Sequence, residues 1–172
     1  CLSVYGTARD LCAYKAKKIK KPLTSPYTLK KTDSHIKEIS NKICPEYRFM
    51  SLDNVNLKLK TPALITDRLI KSGISPVNLV VDVSNYVMIE LGQPTHAFDR
   101  DKIHGRLSIK SNIKKNIFIG IDNKEYIIEK GKPVIVDEKN TIHALPGVLG
   151  SKVSAVTDST KNILFIINTN EY

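Results

Sequence analysis

Ser84, Asn85 and His96 bring a hydroxyl, a carboxamide and an imidazole within twelve positions of one another. Ser84-Asn85 lies inside an apolar run whose spacing predicts a helix from about Leu79 to Leu91, with Val80, Val83, Val87 and Leu91 on one side. Gly92 and Pro94 close that helix and turn the chain back, so that His96 follows just beyond it. Three small polar groups could therefore converge on one site. Read singly, each is a residue that bonds locally or structurally. The segment Ala144-Leu145-Pro146-Gly147-Val148-Leu149-Gly150-Ser151 is a second constellation. Glycines that close together mark a tight turn or a place where backbone approaches a ligand.

Other chemistries find no footing in the sequence. There is no Gly-x-Ser-x-Gly elbow and no Cys–His pair in a familiar context. His35, His104 and His143 are scattered singletons that read as surface or structural groups, and no His/Asp/Glu cluster has metal spacing. GxGxxG and Walker signatures are missing as well. Chemistry here would depend on positioning water rather than on an activated side chain.

The elements that must position these residues can be read from pattern. Ser3 can cap a helix to about Lys17, and Lys17–Lys31, broken by Pro22 and Pro26, reads as a basic linker. Thr61-Pro62 looks like a hydroxyl cap followed by proline at the first helical position, with Leu64, Ile65, Leu69 and Ile70 as an apolar stripe ending at Gly73. A β-rich segment starts near Ile36, and one or two strands are expected over Arg48–Leu59. From Arg106 onward short strands are expected at Leu107–Lys110, Asn116–Ile121, Glu125–Ile128, Val134–Val136, Thr141–Ala144 and Asn162–Ile167, with a hairpin turn at Asp122-Asn123. Two central helices followed by a β meander make an α+β fold. The organisation expected is a lead-in helix and linker over 1–31 and an α+β domain over 32–172.

The chain has 172 residues, 41% of them hydrophobic, enough for one ordinary core. No window approaches a membrane span and no signal peptide opens the chain. It begins with Cys rather than Met, which reads as a piece of something longer. Three cysteines without CxxC spacing fit a reducing, cytoplasmic setting rather than disulfides or zinc. With 27 Lys and Arg against 17 Asp and Glu, the net charge is +10, which suits an acidic partner such as RNA. The joint richness in Lys, Asn and Ile also fits AT-rich coding, and the sparse aromatics do not interleave with the basic runs.

Asn78–Val87, then Glu90–Pro94, then His96-Ala97-Phe98-Asp99 together resemble the beta subunit of bacterial phenylalanyl-tRNA synthetase, in its editing module. Gly147-Val148-Leu149-Gly150 and Thr157–Leu164 continue the likeness in order, and Cys1–Arg9 and Cys44–Tyr47 resemble the segments that lead into that module. The resemblance implies a layered β-rich sandwich with flanking helices that hydrolyses tyrosine wrongly esterified to phenylalanine tRNA. It implies an editing pocket at Ser84, Asn85 and His96 with backbone from Gly147 and Gly150. It implies a whole enzyme of two alpha and two beta subunits that uses ATP and magnesium, with the synthetic site in the alpha subunit and no cofactor in this fragment.

Four positions depart from the family pattern. Where the family has a glutamate that binds the tyrosine hydroxyl, this chain has Ile166. An unpartnered buried phenol costs about 1–3 kcal/mol, so the expected loss of tyrosine selectivity is roughly 10–100-fold. Pro146 replaces an alanine, Ser151 a glycine and Ser84 a threonine. The expectation is a module with editing weakened or lost; the alternative is an active proofreading hydrolase. Thr141 and His143 are the positions from which a compensating group could come.

Overall fold

The computed structural model describes residues 3–21, 36–39, 46–111 and 116–169. Cys1, Cys44, Pro22, Pro26, His35 and the boundary expected at 31/32 lie outside the described residues.

The described residues form three α-helices, one ahead of every strand and two after the second strand. In α1 (Val4–Tyr14) the Ser3 hydroxyl accepts from Gly6 N at 2.9 Å, as expected of a cap, but the helix stops three residues short of Lys17. Helix α2 spans Ala63–Lys71 and α3 spans Leu79–Leu91. Asn78 caps α3 by accepting from Val81 N at 3.0 Å, and Gly92, at φ +77°, takes the left-handed conformation that ends it.

The expected cap of α2 is corrected. Pro62 stands just before the first helical residue, and no side chain caps that end. The Thr61 hydroxyl instead bonds Asp82 Oδ2 at 2.5 Å, and Asp82 Oδ1 accepts from Val77 N at 2.7 Å. A buried carboxylate outcompetes the helix terminus, because its unmet bonds would cost more than those of a solvated N–H. The α2 stripe is corrected too: Leu69 is fully buried, but Leu64 and Ile70 are 61% and 59% exposed.

The described residues also form ten strands, in chain order β1 (Ile36–Ile39), β2 (Glu46–Leu52), β3 (His96–Asp99), β4 (Leu107–Lys110), β5 (Asn116–Ile119), β6 (Glu125–Ile128), β7 (Val134–Val136), β8 (Ile142–Leu145), β9 (Leu149–Gly150) and β10 (Ile163–Thr169). They form a five-stranded sheet β1-β4-β7-β8-β9, a three-stranded sheet β2-β10-β3 and the hairpin β5-β6. Only β7-β8-β9 behaves as the expected meander. The last strand, β10, returns to lie between β2 and β3, pairing with both.

The core explains that return. Strand β10 is apolar on both faces because both are covered. Ile163 and Phe165 pack toward Val80 of α3, while Leu164 and Ile166 pack with Leu107, Ile109, Ile135 and Ala144 of the larger sheet. The outer face of that sheet, Val134, Val136 and Ile142, is covered by Phe118 and Ile128 of the hairpin. The layers are thus helices, three-stranded sheet, five-stranded sheet and hairpin. Lead-in helix α1 lies against α3.

Candidate functional site

The Ser84 hydroxyl, in the second turn of α3, lies 2.5 Å from Thr95 Oγ1 and donates to the Thr95 carbonyl at 3.3 Å. This clip fixes the middle of the helix to the residue just before His96, and Thr95 is a member of the arrangement that pattern alone did not single out. Asn85 is half-buried, and its carboxamide has no hydrogen-bond partner among the described residues.

His96 opens β3, a strand hidden in the sequence by its length of four and by Pro94 just before it. Its Nε2 accepts from Gly147 N at 2.8 Å. The ring stacks on Phe98, with centroids 5.9 Å apart and planes 14° from parallel. Desolvation by burial pushes its pKa down to about 4, so the ring is neutral at pH 7. A neutral ring that accepts at Nε2 carries its proton on Nδ1. His96 is therefore a hydrogen-bond donor through Nδ1, and could serve as a base at Nε2 only by releasing Gly147.

Gly147 is brought there by a turn. Val148 N bonds Leu145 O at 3.0 Å, and Gly147 has φ +67°. Proline at the second position and glycine at the third are the residues a type II turn requires. Pro146, one of the four departures from the family pattern, is therefore the residue that shapes the turn presenting Gly147 N–H to His96. Ser151 also sits without strain: its φ is −83°, and its hydroxyl donates to Ile119 O at 3.3 Å and accepts from Val153 N at 3.3 Å.

Ile166 is the cross-strand partner of His96. It is 1% exposed and packed between the two sheets. His96, Gly147 and Ile166 thus meet where the two sheets meet. Gly150 does not share their role: it pairs with Ala144, and its carbonyl accepts from Ile121 N at 3.0 Å, tying the sheet to the hairpin.

A buried polar chain lies next to this place. His143 bulges from β8, between Ala144 facing Ile135 and Ile142 facing Val136. Its Nδ1 lies 2.8 Å from Ser154 Oγ, and its Nε2 lies 3.2 Å from Asp137 Oδ2 without the alignment of a full hydrogen bond. Asp137 also accepts from the backbone N–H groups of His104, Lys139 and Thr141. Burial alone would raise its pKa, but the Thr141 N–H, His143 and the His104 N–H together hold it down at about 2. Desolvation lowers the His143 pKa against the pull of Asp137. Ser154, His143 and Asp137 have the composition of a hydrolytic triad, yet all three are shut away from solvent, so the chain is structural. Of the expected sources of compensation, the His143 ring is committed to this network, and Thr141 enters it through its backbone. The signal for it was Asp137 closing a strand just before Glu138-Lys139-Asn140, a side chain placed to bond its own turn.

Among the described residues no group of three or more His, Cys, Asp or Glu could hold a metal ion, and no helix is long and apolar enough to cross a membrane.

Comparison with known proteins adds to this geometry. A family model described as B3/4 domain matches residues 43–171. The chain is 34% identical over 164 residues to a phenylalanine–tRNA ligase beta subunit of Ralstonia nicotianae, across 95% of this chain and 20% of that protein. It is 36% identical over 169 residues to the protein of that name from Neisseria meningitidis, across 95% of this chain and 21% of the relative. The chain thus spans 20–21% of the length of these curated relatives. In structure it is similar to an N-terminal fragment of the phenylalanyl-tRNA synthetase beta subunit from Pyrococcus horikoshii, with a TM-score of 0.61 and 18% identity over 96% of this chain and 51% of that one. That likeness bears on the fold alone.

Proposed function

The chain belongs to the B3/4 domain family, and from that premise we propose that it is the editing-type module of a phenylalanine–tRNA ligase beta subunit in which tyrosine editing is weakened or lost. In this reading the whole enzyme is cytoplasmic and pairs two alpha with two beta subunits. It uses ATP and magnesium at a synthetic site in the alpha subunit, and no residue of this chain carries aminoacylation. The partners are that alpha subunit and phenylalanine tRNA, toward which the net charge of +10 is favourable.

The observation that carries the reading is the pairing of Ile166 with His96. A buried isoleucine there offers no acceptor to a phenol and fills the space between the sheets with hydrocarbon. The neutral His96 ring, with Nε2 already engaged, is poorly placed to take a proton from water. The family assignment supports the module's identity, and the two geometric facts support the loss of selectivity.

The test is hydrolysis of phenylalanine tRNA mischarged with tyrosine by the complete synthetase, wild type beside Ile166→Glu and Ile166→Gln. Slow, unselective wild-type hydrolysis supports the proposal, and rescue by either variant pins the loss on that position. Rapid, tyrosine-selective wild-type hydrolysis overturns it. The second reading, an active proofreading hydrolase, is favoured by the His96 Nδ1–H, which is left as a donor for an ester once Nε2 accepts from Gly147.

A further inference from the structure

A cavity of about 500 Å³ lies on the other face of the three-stranded sheet, under α3. Because side chains alternate along β10, Phe165 and Ile167 line this cavity while Ile166 points away from it, toward the larger sheet. Val80, Val83 and Val87 of α3 form the roof, and Met50, the cross-strand partner of Phe165, extends the floor. The polar corner is the Ser84–Thr95 hydroxyl pair, whose members bond each other.

Arg48 is the only charged residue of the lining among the described residues. It pairs with Ile167 in the ladder and so belongs to the face that α3 covers, yet it is exposed, at the mouth. No acidic partner engages it among the described residues. An apolar chamber of this size excludes polar molecules and favours a hydrocarbon body. A guanidinium at its mouth favours a carboxylate head, which it can hold bidentately.

We propose that this cavity is a binding site for small aryl or alkyl carboxylates, with the hydrocarbon part under α3 and the carboxylate on Arg48. The site lies across the three-stranded sheet from His96, Gly147 and Ile166, shares only Ser84 with the expected editing pocket, and does not depend on the editing reading. Its occupant is set by volume and by one charge: a phenylpropionate-sized acid satisfies both, and a neutral isostere satisfies only the first.

The experiment is fluorine NMR of 3-(4-trifluoromethylphenyl)propionate with the full-length assembled protein, with excess phenylalanine added to fill any amino-acid site. Saturable line broadening is expected, displaced by 3-phenylpropionate and abolished by Val83→Trp, which fills the chamber. Arg48→Ala is expected to weaken the acid by about fivefold, the scale of one exposed charge pair, and to leave the corresponding amide unchanged. Absence of saturable binding, or equal binding to wild type and Val83→Trp, overturns the site. If Val83→Trp fails to fold, Arg48→Glu on the surface decides. Loss of acid binding with amide binding retained supports the proposal, and equal affinity for acid and amide in both proteins overturns it.

Discussion

His96 and Ile166 stand opposite each other on β3 and β10, so their side chains leave the same face of the three-stranded sheet. One is the imidazole of the candidate site, and the other is wholly apolar and 1% exposed. The pairing sets hydrocarbon beside a ring that is itself half-buried, and offers it no acceptor from that position.

Ile166→Glu should therefore be costly to the fold as well as informative about function. A carboxylate between Phe98, Leu107 and Ile109 is expected to destabilise the protein by about 3 kcal/mol at pH 7, with its pKa raised by burial. The deficit relative to wild type should shrink as pH falls and the carboxyl is protonated in both states. Urea unfolding of both proteins at pH 7 and pH 4.5 checks this. Ile166→Val is expected to cost only about 1 kcal/mol.

His96 should make stability fall on mild acidification. Its pKa is about 4 in the fold against an ordinary 6.5. Above pH 6.5 the ring is neutral in both states and contributes no pH dependence. Between 6.5 and 4 only the unfolded chain takes up the proton, so folding loses up to about 3 kcal/mol across that window. Unfolding free energies measured from pH 7.5 to 4 should show this slope, reduced in His96→Asn. Asp137 acts in a lower window: with its pKa at about 2 against 3.8, its contribution is complete above 3.8 and is lost as pH falls toward 2.

Gly147→Ala tests the turn that serves His96. At φ +67° an alanine side chain is strained, and a loss of about 1 kcal/mol is expected. The displaced N–H should weaken its bond to His96 Nε2. Imidazole nitrogen NMR should then report a changed balance between the two ring tautomers. Pro146→Ala is expected to cost less than about 1 kcal/mol through unfolded-state entropy, with the tautomer unchanged.

Asp137→Ala removes the acceptor for three backbone N–H groups and the neighbour of His143 Nε2. Each orphaned buried donor costs about 1–3 kcal/mol, so global destabilisation well beyond that of an ordinary surface substitution is expected in thermal unfolding. Ser154→Ala, which removes one hydroxyl from the same chain, should cost about 1 kcal/mol.

Thr61 and Asp82 should prove coupled. Thr61→Val and Asp82→Asn each disturb the same 2.5 Å hydrogen bond, so their stability costs should fail to add by at least about 0.5 kcal/mol in a double-mutant cycle. Additive losses would mean that Asp82 acts only through Val77 N–H.

The sequence by itself determined the elements whose cause is local. Helix α3 matches the expected bounds because Asn78, the apolar run and Gly92 supply its start, face and stop within fourteen positions. Strands β4, β6 and β7 match for the same reason: alternation or an unbroken apolar run between turn residues. The residues of the candidate site were legible as types and as a family resemblance. Their meeting was not. That β10 lies between β2 and β3, that Ile166 faces His96, and that a turn fifty-one positions downstream donates to its Nε2 are pairings at long range. Thr61 was misread as a cap because its true partner, Asp82, lies twenty-one positions away on another helix. The part Pro146 plays was not legible, because the turn it builds is defined by where the next strand goes. Short-range chemistry fixes which backbone conformation each segment prefers. Only packing in three dimensions decides which buried polar atoms meet, because the cost of leaving them unmet exists only once the layers have excluded water.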